Sequence, residues 1–122
     1  MKKIIGLLLI LIATTNFAVG QKAKASPRKS VTGKINEANI SIDYGSPSVK
    51  GRKIWGALVP FDKIWRAGAN EATTFQTDKD LIVEEKKLPA GKYSLFIIPN
   101  EKKCIIIFIN HLYNQSINYY YT

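Results

Sequence analysis

The residue types best suited to chemistry in this chain crowd into one stretch, Tyr44 to Thr74. It holds both tryptophans, Trp55 and Trp65, two of the three arginines, Arg52 and Arg66, and the glycines Gly45, Gly51, Gly56 and Gly68. Glycine beside a large aromatic ring lets backbone approach closely, either to a ligand or to another part of the chain. An arginine fork pairs with a carboxylate or phosphate and stacks on an aromatic face. Arg52, Trp55, Trp65, Arg66, Asn70 and Glu71 are therefore the candidate ligand-binding residues. The ligands that fit their chemistry are a carbohydrate or an acidic group. A second reading stays open: the two tryptophans plug the open end of a β fold, with Arg66 paired to Glu71 or to backbone carbonyls. A loop that packs on itself needs aromatics and glycines for the same physical reasons.

Other chemistry is thinly supplied, and no catalytic residue is assigned. Asp43, Asp62 and Glu71 surround the segment, and two carboxylates are enough for glycoside hydrolysis. Their separation is not written in the sequence, so a carboxylate-dependent hydrolase is carried as an alternative. A metal site needs clustered ligands, whereas the chain has one histidine, His111, and one cysteine, Cys104. No metal or cofactor is expected. Asp78 and Asp80 read as turn residues, since no calcium-binding loop follows them. Cys104 and His111 form a nucleophile–base pair by composition alone, and Cys104 is expected to be buried and inert. Ser26-Pro27-Arg28-Lys29 matches a Ser-x-x-Lys pattern, but the partner motifs of the penicillin-binding enzymes are missing, so the match is coincidental.

The elements that must position these residues read as strands. In Ala38 to Tyr44 the apolar residues Ala38, Ile40, Ile42 and Tyr44 fall at every second position, which places them on one face of a strand. Glu71 to Thr77 is threonine-rich and contains Phe75, which suits a half-buried strand, and Leu81-Ile82-Val83 follows a charged turn. Leu88-Pro89-Ala90-Gly91-Lys92 reverses the chain. Tyr93–Ile98 and Cys104–Ile109 are expected to pair as an antiparallel hairpin. Val59 to Trp65 is expected to hold a single helical turn, with Pro60 at its first position. Short strands separated by turn signals point to an all-β fold, a small antiparallel β-sandwich or partial jelly-roll-like barrel.

The ends of the chain bound the rest. Met1-Lys2-Lys3, the apolar run Ile4 to Ala13 and the small residues Ala18-Val19-Gly20 have the three-part layout of a secretory signal, with cleavage after Gly20. Ten apolar residues fall well short of the roughly 20 that a membrane-spanning helix needs. Removal of residues 1–20 lowers the formal charge from +9 to +7, as Lys2 and Lys3 leave. Export to the periplasm or the exterior makes nucleic acid an unexpected partner despite that charge. Residues 21–30 are basic and polar and read as a flexible lead-in, 31–110 as the β domain. A single cysteine forms no internal disulfide, so the fold rests on packing.

The runs Ser46-Pro47-Ser48-Val49-Lys50-Gly51-Arg52-Lys53-Ile54-Trp55-Gly56, Leu58-Val59-Pro60, Trp65-Arg66-Ala67-Gly68-Ala69-Asn70-Glu71-Ala72-Thr73 and Leu88-Pro89-Ala90-Gly91-Lys92-Tyr93 resemble a family of secreted bacterial proteins. It is the domain of unknown function 2911, of Bacteroidetes type. The resemblance spans roughly Ala25 to Phe108 and implies export and a β-rich fold, and it carries over no catalytic residue. Family members continue past such a hairpin into an Asn-Gln-Trp-Gly-type stretch. Here Asn114-Gln115 is followed by Ser116-Ile117, so residues 111–122 read as a truncated or divergent tail. The fold is then expected to be incomplete at that end. Cys104 to Ile109 would lie at an apolar sheet edge, open to self-association. Taken together, the sequence describes an exported, non-catalytic envelope or secreted module that binds a ligand or partner through Trp55–Thr73. The alternatives are the hydrolase and a purely structural domain.

Overall fold

A computed structural model describes residues 25–110 and the backbone of 119–121. The signal reading of residues 1–20 and most of the tail, His111 included, lie outside the described residues. The strands run β1 Arg28–Ile35, β2 Ala38–Gly45, β3 Thr73–Thr77, β4 Leu81–Val83, β5 Lys86–Leu88, β6 Gly91–Ile98, β7 Ile105–Ile109 and β8 Tyr119–Tyr121. Six of them form one antiparallel sheet in the order β1-β2-β3-β6-β7-β8, and β4 and β5 form a separate two-stranded ribbon. The all-β, antiparallel expectation holds. The main sheet is open rather than closed into a barrel, and its second layer is the short ribbon.

Register explains where the core sits. Residues directly opposite on neighbouring strands share a face. Ile42 lies opposite Phe75, Phe75 opposite Tyr93, and Leu95 opposite Phe108. The period of two in β2 is thus continued across the sheet as one apolar face. The ribbon covers it: Leu88, Tyr93 and Phe108 are buried together, with Phe75, Leu81, Val83, Leu95 and Ile106 packed around them. Phe108 meets Phe75 and Tyr93 edge-on, at centroid distances of 5.2 and 5.9 Å, the geometry the aromatic quadrupole favours. The buried Tyr93 hydroxyl donates to the Pro89 carbonyl at 2.6 Å. A polar tip is thereby satisfied inside the core.

Four expectations are corrected. The first strand begins at Arg28, inside the stretch read as a lead-in, because eight consecutive residues pair with β2 from Arg28↔Gly45 to Ile35↔Ala38. All eight are exposed, and Lys29 and Lys34 discourage further strand pairing at this edge. Val59 to Trp65 forms no helical turn. Val59 instead bridges Trp55, and Trp65 bridges Ile97. Strand β7 is no edge, since β6 lies on one side and β8 on the other. Cys104 is exposed rather than buried, because it sits in the connection before β7 begins.

A carboxylate fastens the far end of the sheet. Asp78 Oδ1 accepts from the Asn39 backbone N–H at 2.7 Å and Oδ2 from the Asn39 side-chain amide at 2.5 Å. These bonds favour the charged form and hold the Asp78 pKa below its ordinary 3.8. Asp80 is lowered likewise, by Lys87, with which it pairs at 2.8 Å, and by the Ala90 N–H. Because the folded values lie below the unfolded ones, this stabilisation is present above about pH 4 and lost as pH falls through the depressed values. Denaturant midpoints followed from pH 6 down to about pH 2 should therefore decline less steeply for the double variant Asp78→Asn, Asp80→Asn than for the wild type. Parallel declines would show the two carboxylates to be uncoupled from folding.

Candidate functional site

The long connection from β2 to β3, residues 46–72, lies where β2 ends, β3 begins and β6 ends. Backbone bonds tie it to the sheet. Trp65 exchanges two 2.8 Å hydrogen bonds with Ile97, continuing the ladder along β6 beyond the start of β3. The Asp62 N–H donates to Pro99 O at 2.8 Å and the Ala69 N–H to Gly45 O at 3.1 Å. Thr73 Oγ1 donates to Ala67 O at 3.0 Å. Gly45 is required by this closeness. A Cβ at that position would lie 2.0 Å from the Ala69 carbonyl oxygen.

Between Ile54 and Val59 the chain knots on itself. Val59 N–H donates to Ile54 O and Gly56 N–H to Val59 O, each at 2.9 Å. Val59 is buried beneath, while Trp55 stands 54% exposed above. Gly56 adopts φ +77° with the Phe61 ring against it. Ala67 and Asn70 hold left-handed φ values of 57° and 63°, a conformation that costs an ordinary residue about 1–2 kcal/mol. Such local strain persists where surrounding contacts over-determine the backbone, and it gathers at functional sites.

Together these segments enclose a groove of about 440 Å³, within the roughly 300–1,000 Å³ range of small-molecule sites. Trp55 and Trp65 meet edge-to-face in its wall, with centroids 5.7 Å apart and planes at 90°. Pro47, Val49, Ile54, Leu58, Val59 and Ala69 supply further apolar lining, and Arg52 and Arg66 the charge. No carboxylate lines the groove among the described residues.

The candidate residues take different places. Arg52, Trp55, Trp65 and Arg66 line the groove; Asn70 and Glu71 do not. Arg52 is committed to the loop, its Nε donating to Val49 O at 3.1 Å and its Nη2 to Ser48 O at 2.7 Å. Arg66 is exposed, and its guanidinium makes no hydrogen bond or ion pair among the described residues. Asn70 is a tether, its Nδ2 donating to Ser26 O at 3.3 Å. Asp43 lies on β2, and Asp62 accepts from Asn100 Nδ2 at 2.8 Å beside the β6–β7 turn. Neither lines the groove.

Sequence reasoning missed Arg28. Its guanidinium donates to the carbonyls of Asp43, Ala72 and Glu71 at 3.1, 3.3 and 3.4 Å, joining β1, β2 and the end of the long connection. Arg28 and Arg52, rather than Arg66, pair with backbone carbonyls. No sequence signal marks Arg28, because its partners lie up to 44 positions away.

An open antiparallel sheet with an apolar, arginine-bearing groove formed mainly by one connection defines the class: an all-β protein whose candidate site lies on a loop. More particularly, residues 26–122 match the model of the family described as "Protein of unknown function (DUF2911)", and the chain belongs to that family. No curated protein matches this chain, and no solved structure does either.

Proposed function

We propose that this protein is an exported, non-catalytic binding module of the cell envelope or exterior, and that the groove at Trp55 and Trp65 takes its ligand. Export rests on the layout of residues 1–20. The observation that carries the binding reading is Arg66, a cation with no protein partner among the described residues, beside two tryptophans in a groove of ligand size. A plug would bury its aromatics and satisfy its arginine, whereas Trp55 is 54% and Leu58 52% exposed. The hydrolase alternative has less support, since Asp43, Asp62 and Glu71 are not among the lining residues.

Substitution separates binding from packing. Trp55→Ala and Arg66→Ala should each leave the melting temperature within a few degrees of wild type, as exposed positions generally do. Each should abolish retention on immobilised glycans or on carboxylated and phosphorylated matrices. If these variants melt as early as a core truncation, or if the wild-type chain is retained on none of the matrices, the binding reading fails.

A further inference from the structure

Resting on that binding reading, we propose that the ligand is a small anionic amphiphile, an apolar body carrying a single carboxylate or phosphate group, with Arg66 as the anchor of its head. The groove is divided in a way that a sugar would not require. Its wall of Val49, Ile54, Trp55, Leu58, Val59 and Trp65 offers apolar surface. A carbohydrate needs several polar side chains placed to meet its hydroxyls, as bound ligands do generally when their polar groups are buried. The side chains lining this groove supply few: Ser26, Ser48 and the two arginines. Arg52 already donates from Nε and Nη2 to its own loop. That leaves Arg66 as the one lining cation without a partner among the described residues.

Charge selects the head group. A guanidinium presents a planar fork that matches the two oxygens of a carboxylate or phosphate. With no carboxylate in the lining among the described residues, none of them competes within the groove for that fork, and a cationic ligand would meet repulsion from both arginines. The rim favours the apolar body. Val49, Trp55 and Leu58 are each more than half exposed, and a ligand laid over them removes apolar surface from water at roughly 25 cal/mol per Å².

The two tryptophans provide the readout, because both belong to the groove and the chain has no others. Tryptophan emission of the purified chain would be titrated with octanoate, octyl phosphate, octanol and cellobiose. Octanoate or octyl phosphate should shift the emission saturably, the stronger of the two naming the head group. Octanol, with the same chain and no charge, should bind at least roughly tenfold more weakly, the usual worth of a charge-assisted hydrogen bond. Arg66→Ala should erase that difference, and Arg66→Lys should keep part of it, with melting curves confirming that both variants fold. Equal binding of octanol and the anions, or anion binding indifferent to Arg66→Ala, would overturn the proposal. A response to cellobiose without one to either anion would overturn it too, yet leave the groove a binding site. Silence from all four probes would overturn both this proposal and the binding reading beneath it.

Discussion

Replacing Gly45 by alanine is expected to destabilise the fold by about 3 kcal/mol. The added methyl would sit 2.0 Å from Ala69 O and 2.8 Å from its carbonyl carbon. These are backbone atoms, so no rotamer change relieves the clash. Accommodation requires the loop to lift from the end of β2, which breaks the Ala69 N–H to Gly45 O bond and shifts Ala69, part of the groove wall. For a domain of about 100 residues such a loss corresponds to a fall of roughly 10–20 °C in Tm. Gly33→Ala is the internal control, since a Cβ there meets nothing within 4 Å. Calorimetry that placed the two alanine variants at the same Tm would refute the close-approach account.

The second large effect belongs to the core. Phe108→Ala is expected to cost about 3–5 kcal/mol, the usual range for emptying a buried aromatic site. Phe108 is 6% exposed and touches both Phe75 and Tyr93 edge-on. Its removal would leave a void between the sheet and the ribbon where Leu88 is fully buried. Val31→Ala, at a position 50% exposed on the edge strand, should change stability by less than about 0.5 kcal/mol. Urea titrations of the pair decide the matter. A Phe108→Ala midpoint close to that of Val31→Ala would mean that the ribbon does not close over a single core.

Much of the sheet was legible because its central strands alternate strongly. The spacing of Ala38, Ile40, Ile42 and Tyr44 fixed both the existence and the inward face of β2, and the turn at Pro89 and Gly91 marked the start of β6. The hairpin of β6 and β7 followed from two apolar runs with a short charged connection between them. Strand β1 escaped notice for a physical reason. An edge strand with every residue exposed needs few apolar side chains, and its basic residues read as linker. The helical turn expected at Pro60 lost to other pairing: the N–H groups of Val59, Asp62 and Trp65 donate to Ile54, Pro99 and Ile97 carbonyls instead of to a helical ladder.

The candidate site was legible in residue type and not in the contacts each residue makes. Trp55, Trp65, Arg52 and Arg66 stood out from their neighbours, and the groove gathers all four. Which arginine would serve the backbone and which would stand free depended on contacts distant in sequence. Arg28 reaches carbonyls 15 to 44 positions away. Asn70, one of the candidate residues, donates from its side-chain amide to Ser26 O. Short polar side chains in tight loops commonly serve the chain itself in this way.

The bonds that hold the 46–72 connection in place run through main-chain atoms at Gly45, Ile97 and Pro99 and through the side chains of Arg28, Asn70 and Thr73, whereas the rim of the groove is made by the half-exposed side chains Val49, Trp55 and Leu58. The ties of the frame and the surface of the rim thus lie in separate atoms. None of those ties uses a rim side chain, so on the proposed binding function substitutions at Val49, Trp55 or Leu58 would alter what the cleft takes while leaving its frame in place.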